Sequence, residues 1–302
     1  MVAGMVLMLF IVTWFSCWVN SAQHNGWRVA LTKLLSILVV YGCALSASHP
    51  CCAQSSDPIV VSQPQSLFNG RDLSEFTTWL KDSGIQDPNR VFRVTDGMVQ
   101  VTGQGSGYLA TRHQYRDYRL SLEYRWGMRT DGSKYVRNSG VLLHAVGPDG
   151  GAGGTWMTSL EVQLAQGCEG DLIVIRGKDA SGQVIPATIT SDTRLADDRR
   201  TRWSPTGTPT KYAGKQFWWS QHEVGFKELL DTRGKDDVAS PLGQWTKVEC
   251  VCTGNRVTVK INGTTVNECY DVFPAAGKIL LQNESNEIFF RNIVLNPLGD
   301  SK

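Results

Sequence analysis

The chain has 302 residues, 30 Lys plus Arg against 28 Asp plus Glu, and a net charge of +2. No basic cluster interleaves with aromatic residues as a nucleic-acid groove requires, so nucleic acid is set aside as a partner. Glycine (30) and tryptophan (10) are abundant; tight turns, short strands and sugar-stacking surfaces draw on both, and the composition leans to an all-β protein.

The first 53 residues differ from the rest. Met5 to Val19 is apolar without a charge, and after Arg28 and Lys33 a second apolar run extends from Leu34 to Ala47. The second run has the positive flank and length of a signal-peptide core, with cleavage after Ala53 in Cys51-Cys52-Ala53-Gln54. The first run is surplus: it marks either a translation start placed too early or a membrane anchor, although it falls short of the ~20 residues a spanning helix wants. Residues 1–53 are therefore expected to be an export segment. The mature protein is expected in the periplasm or cell envelope, either free or anchored through that segment, with no other membrane contact.

Gln54 to Gln65 is polar and contains proline, as a linker would. Ser66 opens the folded part, which runs to Leu298 as one domain, since β-sandwiches often exceed 200 residues. Val91 to Val94 leads through Asp96-Gly97 into Met98 to Val101, a hairpin signal. Further strands are expected at Tyr118–Trp126, Gly140–Ala145, Ser159–Ala165, Asp171–Arg176, Trp245–Cys252, Arg256–Ile261, Thr264–Cys269, Lys278–Gln282 and Ile288–Leu295. No sustained helical period and no internal repeat interrupts them. Between Lys178 and Gly243 lies a long segment, charged in Asp192 to Arg202 and aromatic at Tyr212, Phe217, Trp218 and Trp219. Long connections are usually functional or disordered, and the aromatic content argues against disorder. It is expected as a loop over one sheet face, containing at most a short strand pair.

Four of the eight cysteines lie in the export segment, leaving Cys168, Cys250, Cys252 and Cys269. Two-residue turns at Gly254-Asn255 and Asn262-Gly263 would set Val259 opposite Cys250 on one side and Val266 on the other. That register puts Cys269 beside Arg256, on the opposite sheet face from Cys250 and Cys252. Buried free thiols, without a disulfide framework, are the expectation.

Strand alternation sorts the polar candidates. Ser121, Glu123 and Arg125 share one face of their strand, as do Glu161 and Gln163 of theirs. These stripes are either an ordinary solvent face or a ligand surface, and the company of Asn138-Ser139-Gly140, His144 and the Trp-rich segment favours the second. His144 can exchange a proton near neutral pH, though a lone histidine at a strand end is more often structural. Asp171, in a Gly-rich turn, serves equally well as a turn cap or a ligand contact. Trp218 and Trp219 are adjacent, so at most one stacks on a sugar. The stretch Glu161-Val162-Gln163-Leu164-Ala165-Gln166 holds one carboxylate, where a retaining glucanase strand carries several. No His-Glu-x-x-His or Cys/His metal spacing occurs, and no cofactor is expected; a Ca²⁺ held by loop oxygens would leave no fixed signature.

Leu67-Phe68-Asn69-Gly70-Arg71-Asp72-Leu73, Asp96-Gly97, Tyr118 to Arg125, Asn138-Ser139-Gly140, Glu161-Val162-Gln163, Asn262-Gly263, Leu281-Gln282 and Phe290-Arg291-Asn292-Ile293 follow in order along the chain. With this series, Ser66 to Leu298 resembles the bacterial 3-keto-disaccharide hydrolase family. The resemblance implies a concanavalin A-like jelly-roll sandwich of two antiparallel sheets, with the long loop over the concave face. It also implies chemistry on glycosides oxidised at C3, where a base removes the acidified C2 proton and the aglycone leaves by β-elimination, or by net hydrolysis once water adds. By position it makes Glu161 or His144 the base and Arg125 the group binding the enolate or a hydroxyl. Asn138 and Gln163 then bind substrate, with Glu123, Asp171, Trp218 and Trp219 as further contacts. Family members often carry Asp shortly after the Glu-x-Gln strand and His after the late Leu-Gln; here those places read Leu164-Ala165-Gln166 and Asn283-Glu284-Ser285. Two other functions fit the same fold: a non-catalytic carbohydrate-binding module, or a structural protein of the cell envelope.

Overall fold

The structure is a computed structural model that describes residues 57–299; the expected export segment, residues 1–53, lies outside the described residues. In chain order the strands are β1 (Gln65–Ser66), β2 (Phe76–Leu80), β3 (Phe92–Thr95), β4 (Met98–Val101), β5 (Ser106–Thr111), β6 (Tyr118–Trp126), β7 (Gly140–Val146), β8 (Thr158–Gln163) and β9 (Leu172–Ile175). They continue with β10 (Thr188–Leu195), β11 (Thr201–Trp203), β12 (Thr208–Lys211), β13 (Thr246–Thr253), β14 (Arg256–Ile261), β15 (Thr264–Phe273), β16 (Lys278–Glu284) and β17 (Ile288–Pro297). The described residues form no helix, so none that could cross a membrane.

Two antiparallel sheets result. The larger has eleven strands in the order β11-β10-β15-β14-β13-β6-β17-β4-β3, with β1 on β17 and β12 on β10; the smaller runs β2-β5-β16-β7-β8-β9. Period-two patterning builds the core between them. β6 turns Tyr118, Leu120, Leu122 and Tyr124 inward, β13 and β14 add Val248, Cys250, Val257 and Val259, and the smaller sheet answers with Leu109, Val141, Leu143, Leu160, Val162 and Leu281. The fold is thus the all-β jelly-roll sandwich that the sequence implies.

Turn chemistry sets the hairpins. Asp96 (φ 50°) and Gly97 (φ 72°), and again Asn262 (φ 47°) and Gly263 (φ 85°), take the two left-handed positions of a tight hairpin turn. One register differs from expectation. Cys250 pairs with Val259 as expected, but a bulge between Val259 and Lys260 shifts β15 so that Val257 faces Cys269. The extra residue reverses the alternation and drops Cys269 into the core with Cys250 and Cys252. All four cysteines among the described residues are free and buried.

Part of the expected linker is packed: Ile59 N donates to Gln114 O at 2.8 Å, and Val61 is buried. The long segment after Lys178 supplies three strands, β10 to β12, that extend the larger sheet beyond β15. Its Trp-rich end then reaches the free edge of the smaller sheet, where Leu172 and Phe217 exchange backbone hydrogen bonds at 2.9 and 3.0 Å.

Candidate active site

Residues that alternate out of the core on the smaller sheet form its outer face. One half is apolar: Tyr108, Ala110, Leu142 and Leu280 lie under Trp79, Trp156 and Met157. The other half is polar. Glu161 on β8 and Gln282 on β16 stand on either side of Gly140, the first residue of β7. A Cβ at Gly140 would come within 2.7 Å of Glu161 Oε1 and 2.9 Å of Gln282 Oε1. Glycine is needed there because both side chains close over its Cα.

Two residues beyond Gln282, with the same strand parity, Glu284 joins them and accepts a hydrogen bond from Asn138 Nδ2. Asn138 is held by both neighbours. Buried Arg137 pairs with Asp231 at 2.8 Å and donates to Gly127 O at 2.9 Å, while Ser139 Oγ donates to Gln282 O at 2.9 Å. Gln166 accepts from both Arg137 N and Asp231 N at 3.1 Å and so braces that pair.

The electrostatics follow from burial. Glu161 is 5% exposed and Gln282 1%. Desolvation, then the charge of Glu284, pushes the Glu161 carboxyl up to about 8, against the opposing pull of the Gln282 amide. Burial alone lifts Glu284 to about 7. Two carboxyls that trade protons near neutrality mark a functional site more often than a structural one. Two buried acceptors beside them, Asn138 Oδ1 and Gln282 Oε1, have no donor partner. An acceptor-rich pocket of this kind suits a ligand rich in hydroxyl donors.

Of the residues expected from sequence, Glu161 and Asn138 meet here. Gln163 shares the face, but its Oε1 folds back to accept from Leu164 N and Ala165 N at 3.0 and 3.2 Å. The others lie elsewhere. His144 is 0% exposed: a bulge gives it a left-handed φ of 53° and turns its ring into the core, edge-on to Tyr118 and 3.2 Å from Pro274 O. Burial lowers its pKa to about 4. Arg125 and Glu123 project from the outer face of the opposite sheet, with the whole core between them and Glu161. There Arg125 stacks over Trp245 at 4.8 Å, and Glu123 binds Arg291 at 2.6 Å. The expected stripe of Glu123, Arg125, Glu161 and Gln163 is therefore split between the two outer faces.

Asp171 is fully buried and accepts from Trp219 N at 2.6 Å and Gln216 Nε2 at 2.8 Å, anchoring the long segment. Trp219 is 1% exposed and donates to Gly167 O, so its ring has no face to offer a sugar. Trp218 packs against Arg200 and His222.

Glu284 is the partner that sequence reasoning missed, because the second acid was sought on the Glu161 strand. The available signal was its spacing of two from Gln282 within the Leu281-Gln282 motif. Among the described residues no group of three or more His, Cys, Asp or Glu side chains is arranged to hold a metal ion.

Residues 63–296 match the model of the 3-keto-alpha-glucoside-1,2-lyase-like domain. No curated protein sequence matches the chain. Among solved structures, the chain is similar to a Parabacteroides distasonis ATCC 8503 protein bearing a provisional glycosyl-hydrolase name, with 16% identity, 80% of this chain and 100% of that one covered, and a TM-score of 0.46. It is also similar to carbohydrate-binding module CBM66 from Bacillus subtilis (8% identity, 74% and 95% covered, TM-score 0.41). A third similar structure is an alginate lyase of polysaccharide lyase family 7 (12% identity, 78% and 100% covered, TM-score 0.37).

Proposed function

Because the chain belongs to the 3-keto-alpha-glucoside-1,2-lyase-like family, we propose that it cleaves glycosides oxidised at C3, with Glu161 and Glu284 handling the protons. The observation that carries this reading is a pair of proton-retaining carboxyls on the two strands that flank β7: Glu161 closes over Gly140, Glu284 accepts from Asn138, and the charge of Glu284 raises Glu161. A coupled pair of this kind holds one proton near neutral pH, so one member is a base and the other an acid. Glu284, whose charge is favoured by the Asn138 amide, is the base; Glu161, deeper and more strongly desolvated, keeps the proton.

The chemistry then needs no oxidant, since the substrate brings its ketone. Glu284 takes the C2 proton, and the C2–H electrons pass into an enolate with the C3 oxygen. The enolate collapses to a C1=C2 double bond as the C1–O bond breaks, and Glu161 hands its proton to the departing oxygen. Addition of water across C1=C2 makes the outcome net hydrolysis. The free acceptors Asn138 Oδ1 and Gln282 Oε1 receive sugar hydroxyls. Amide N–H groups of the same side chains are the donors at hand for the enolate oxygen, the role that sequence position assigned to Arg125. The apolar run before Ala53 supports placing this activity outside the cytoplasm.

The test is release of aglycone from 4-nitrophenyl 3-keto-glucoside. Release by the wild-type protein, lost by at least about 100-fold in Glu161→Gln and in Glu284→Gln, is the expected result for general acid–base groups. Full turnover by either variant removes that residue from the mechanism. Saturable binding without release identifies a binding module instead.

A further inference from the structure

The segment that delivers Asn138 also carries an aromatic ring, Tyr135, about half of which stands in solvent. Tyr135 is 47% exposed, yet it is held at three points. Its backbone bridges Leu229, the preceding Lys134 O accepts from Leu230 N at 2.8 Å, and its hydroxyl donates to Glu228 Oε2 at 3.1 Å.

The restraint continues behind it. Arg200 donates to Glu228 at 3.0 Å, lies 4.0 Å over the Trp218 ring and meets His222 Nε2 at 2.6 Å. His222 Nδ1 donates to Gly167 O at 2.8 Å, which leaves Nε2 as the acceptor for the guanidinium. Burial, reinforced by the charges of Arg200 and Arg202, keeps that imidazole neutral, with a pKa of about 4. Val136, Ala165, Cys168 and Phe226 pack beneath this chain of groups. A solvent-facing tyrosine is thereby fixed by a Glu–Arg–His series that neither the core nor the carboxylate pair requires.

Its position relates it to that pair. Only Val136 and Arg137 separate Tyr135 from Asn138, so their Cα atoms lie within about 11 Å even in a fully extended chain, and the Asn138 side chain touches Glu284. After burial and Glu228, the charge of Glu284 is among the influences raising the Tyr135 hydroxyl pKa.

We propose that Tyr135, positioned by Glu228 and Arg200, forms the subsite for the leaving sugar ring of a 3-keto-disaccharide. Its ring face stacks on the apolar C–H face of that sugar, and the remaining lone pairs of Glu228 and N–H groups of Arg200 meet its hydroxyls. The assignment rests on the carbohydrate-cleaving function proposed above. Glu228 and Arg200 both hold the tyrosine and contact the leaving sugar, and they take no part in the proton transfers.

Steady-state kinetics on a 3-keto-disaccharide and on methyl 3-keto-glucoside test it. Tyr135→Ala is expected to raise KM for the disaccharide about tenfold with kcat within about twofold, and to leave the methyl glycoside unchanged. Tyr135→Phe, which keeps the ring, is expected to hold KM within about threefold of wild type. Equal KM values for Tyr135→Ala and wild type on the disaccharide, or an equal loss on both substrates, overturn the subsite alone. Absence of both turnover and binding of either substrate by the wild-type chain overturns the subsite together with the function it rests on.

Discussion

Glu161 and Glu284 rise from strands separated only by β7, and the charge of Glu284 is the second-largest reason, after burial, that Glu161 keeps its proton. Each acid thus adjusts the other. With Glu284 at about 7 and Glu161 at about 8, the base must be ionised and the acid protonated. A plot of kcat/KM against pH should therefore be a narrow bell whose rising limb lies near 7 and falling limb near 8, both values belonging to the pair. Glu161→Gln puts a neutral amide where the acid is already neutral when Glu284 ionises, and burial alone sets Glu284, so the residual activity should keep the rising limb near 7 and lose the falling one. Wild-type kcat/KM that is flat from pH 6 to pH 9 would remove the pair from proton transfer.

The same pair predicts a cost in stability. Glu161 has a folded pKa near 8 against an ordinary value of 4.5, so the folded state binds the extra proton between those values. The contribution of Glu161 to stability is fully present below about 4.5 and is lost as pH rises through 8. Glu161→Gln, which carries no charge to desolvate, should melt with wild type at pH 4.5 and about 5–10 °C above it at pH 9. Differential scanning calorimetry at the two pH values measures the gap, and a gap that does not widen with pH contradicts the burial argument. Loss of activity alongside a gain in Tm is the usual signature of a strained active site.

Much of the sandwich was legible because period-two patterning and Asp-Gly or Asn-Gly turns are local signals. The observed bounds of β6 and β14 are those that alternation implies. Bulges were not legible. One extra residue near Val266 moved Cys269 into the core, and another turned His144 away from the outer face. The site was half legible for a related reason: alternation tells which residues share a face of one strand, but not which sheet a strand joins. Glu123 and Glu161 therefore looked equivalent. Only the order β16-β7-β8 shows that Glu284 is the neighbour of Glu161, and that Arg125 stands on the far side of the molecule.

Gly140 supplies a test of geometry that leaves the acids in place. The methyl group of Gly140→Ala would sit 2.7 Å from Glu161 Oε1 and 2.9 Å from Gln282 Oε1, the free ends of two flexible side chains. Those ends can swing aside, so the fold should survive with Tm lowered by only a few degrees. The carboxyl, however, is displaced by something like an ångström, and misplacement of that size costs about 100-fold in rate. Kinetics and melting measured on the same sample separate the two effects. A variant with wild-type kcat/KM would show that Glu161 and Gln282 need not meet over β7.

His144 and Arg125 provide the complementary test, because the structure separates both from the carboxylate pair. His144→Asn keeps a residue that tolerates the left-handed backbone, but it removes the ring that packs against Tyr118 and the contact with Pro274 O. Loss of about 1–3 kcal/mol is expected, seen as a Tm lower by roughly 3–10 °C, with kcat/KM and its pH profile otherwise unchanged. Arg125→Ala gives up its stacking on Trp245 and Phe289 on the outer face of the other sheet, and its kcat/KM should stay within about twofold of wild type. An altered pH profile in His144→Asn would return the histidine to the mechanism. A 100-fold loss in Arg125→Ala would require the substrate to bind on the larger sheet, because no side-chain movement carries that guanidinium through the core to Glu161.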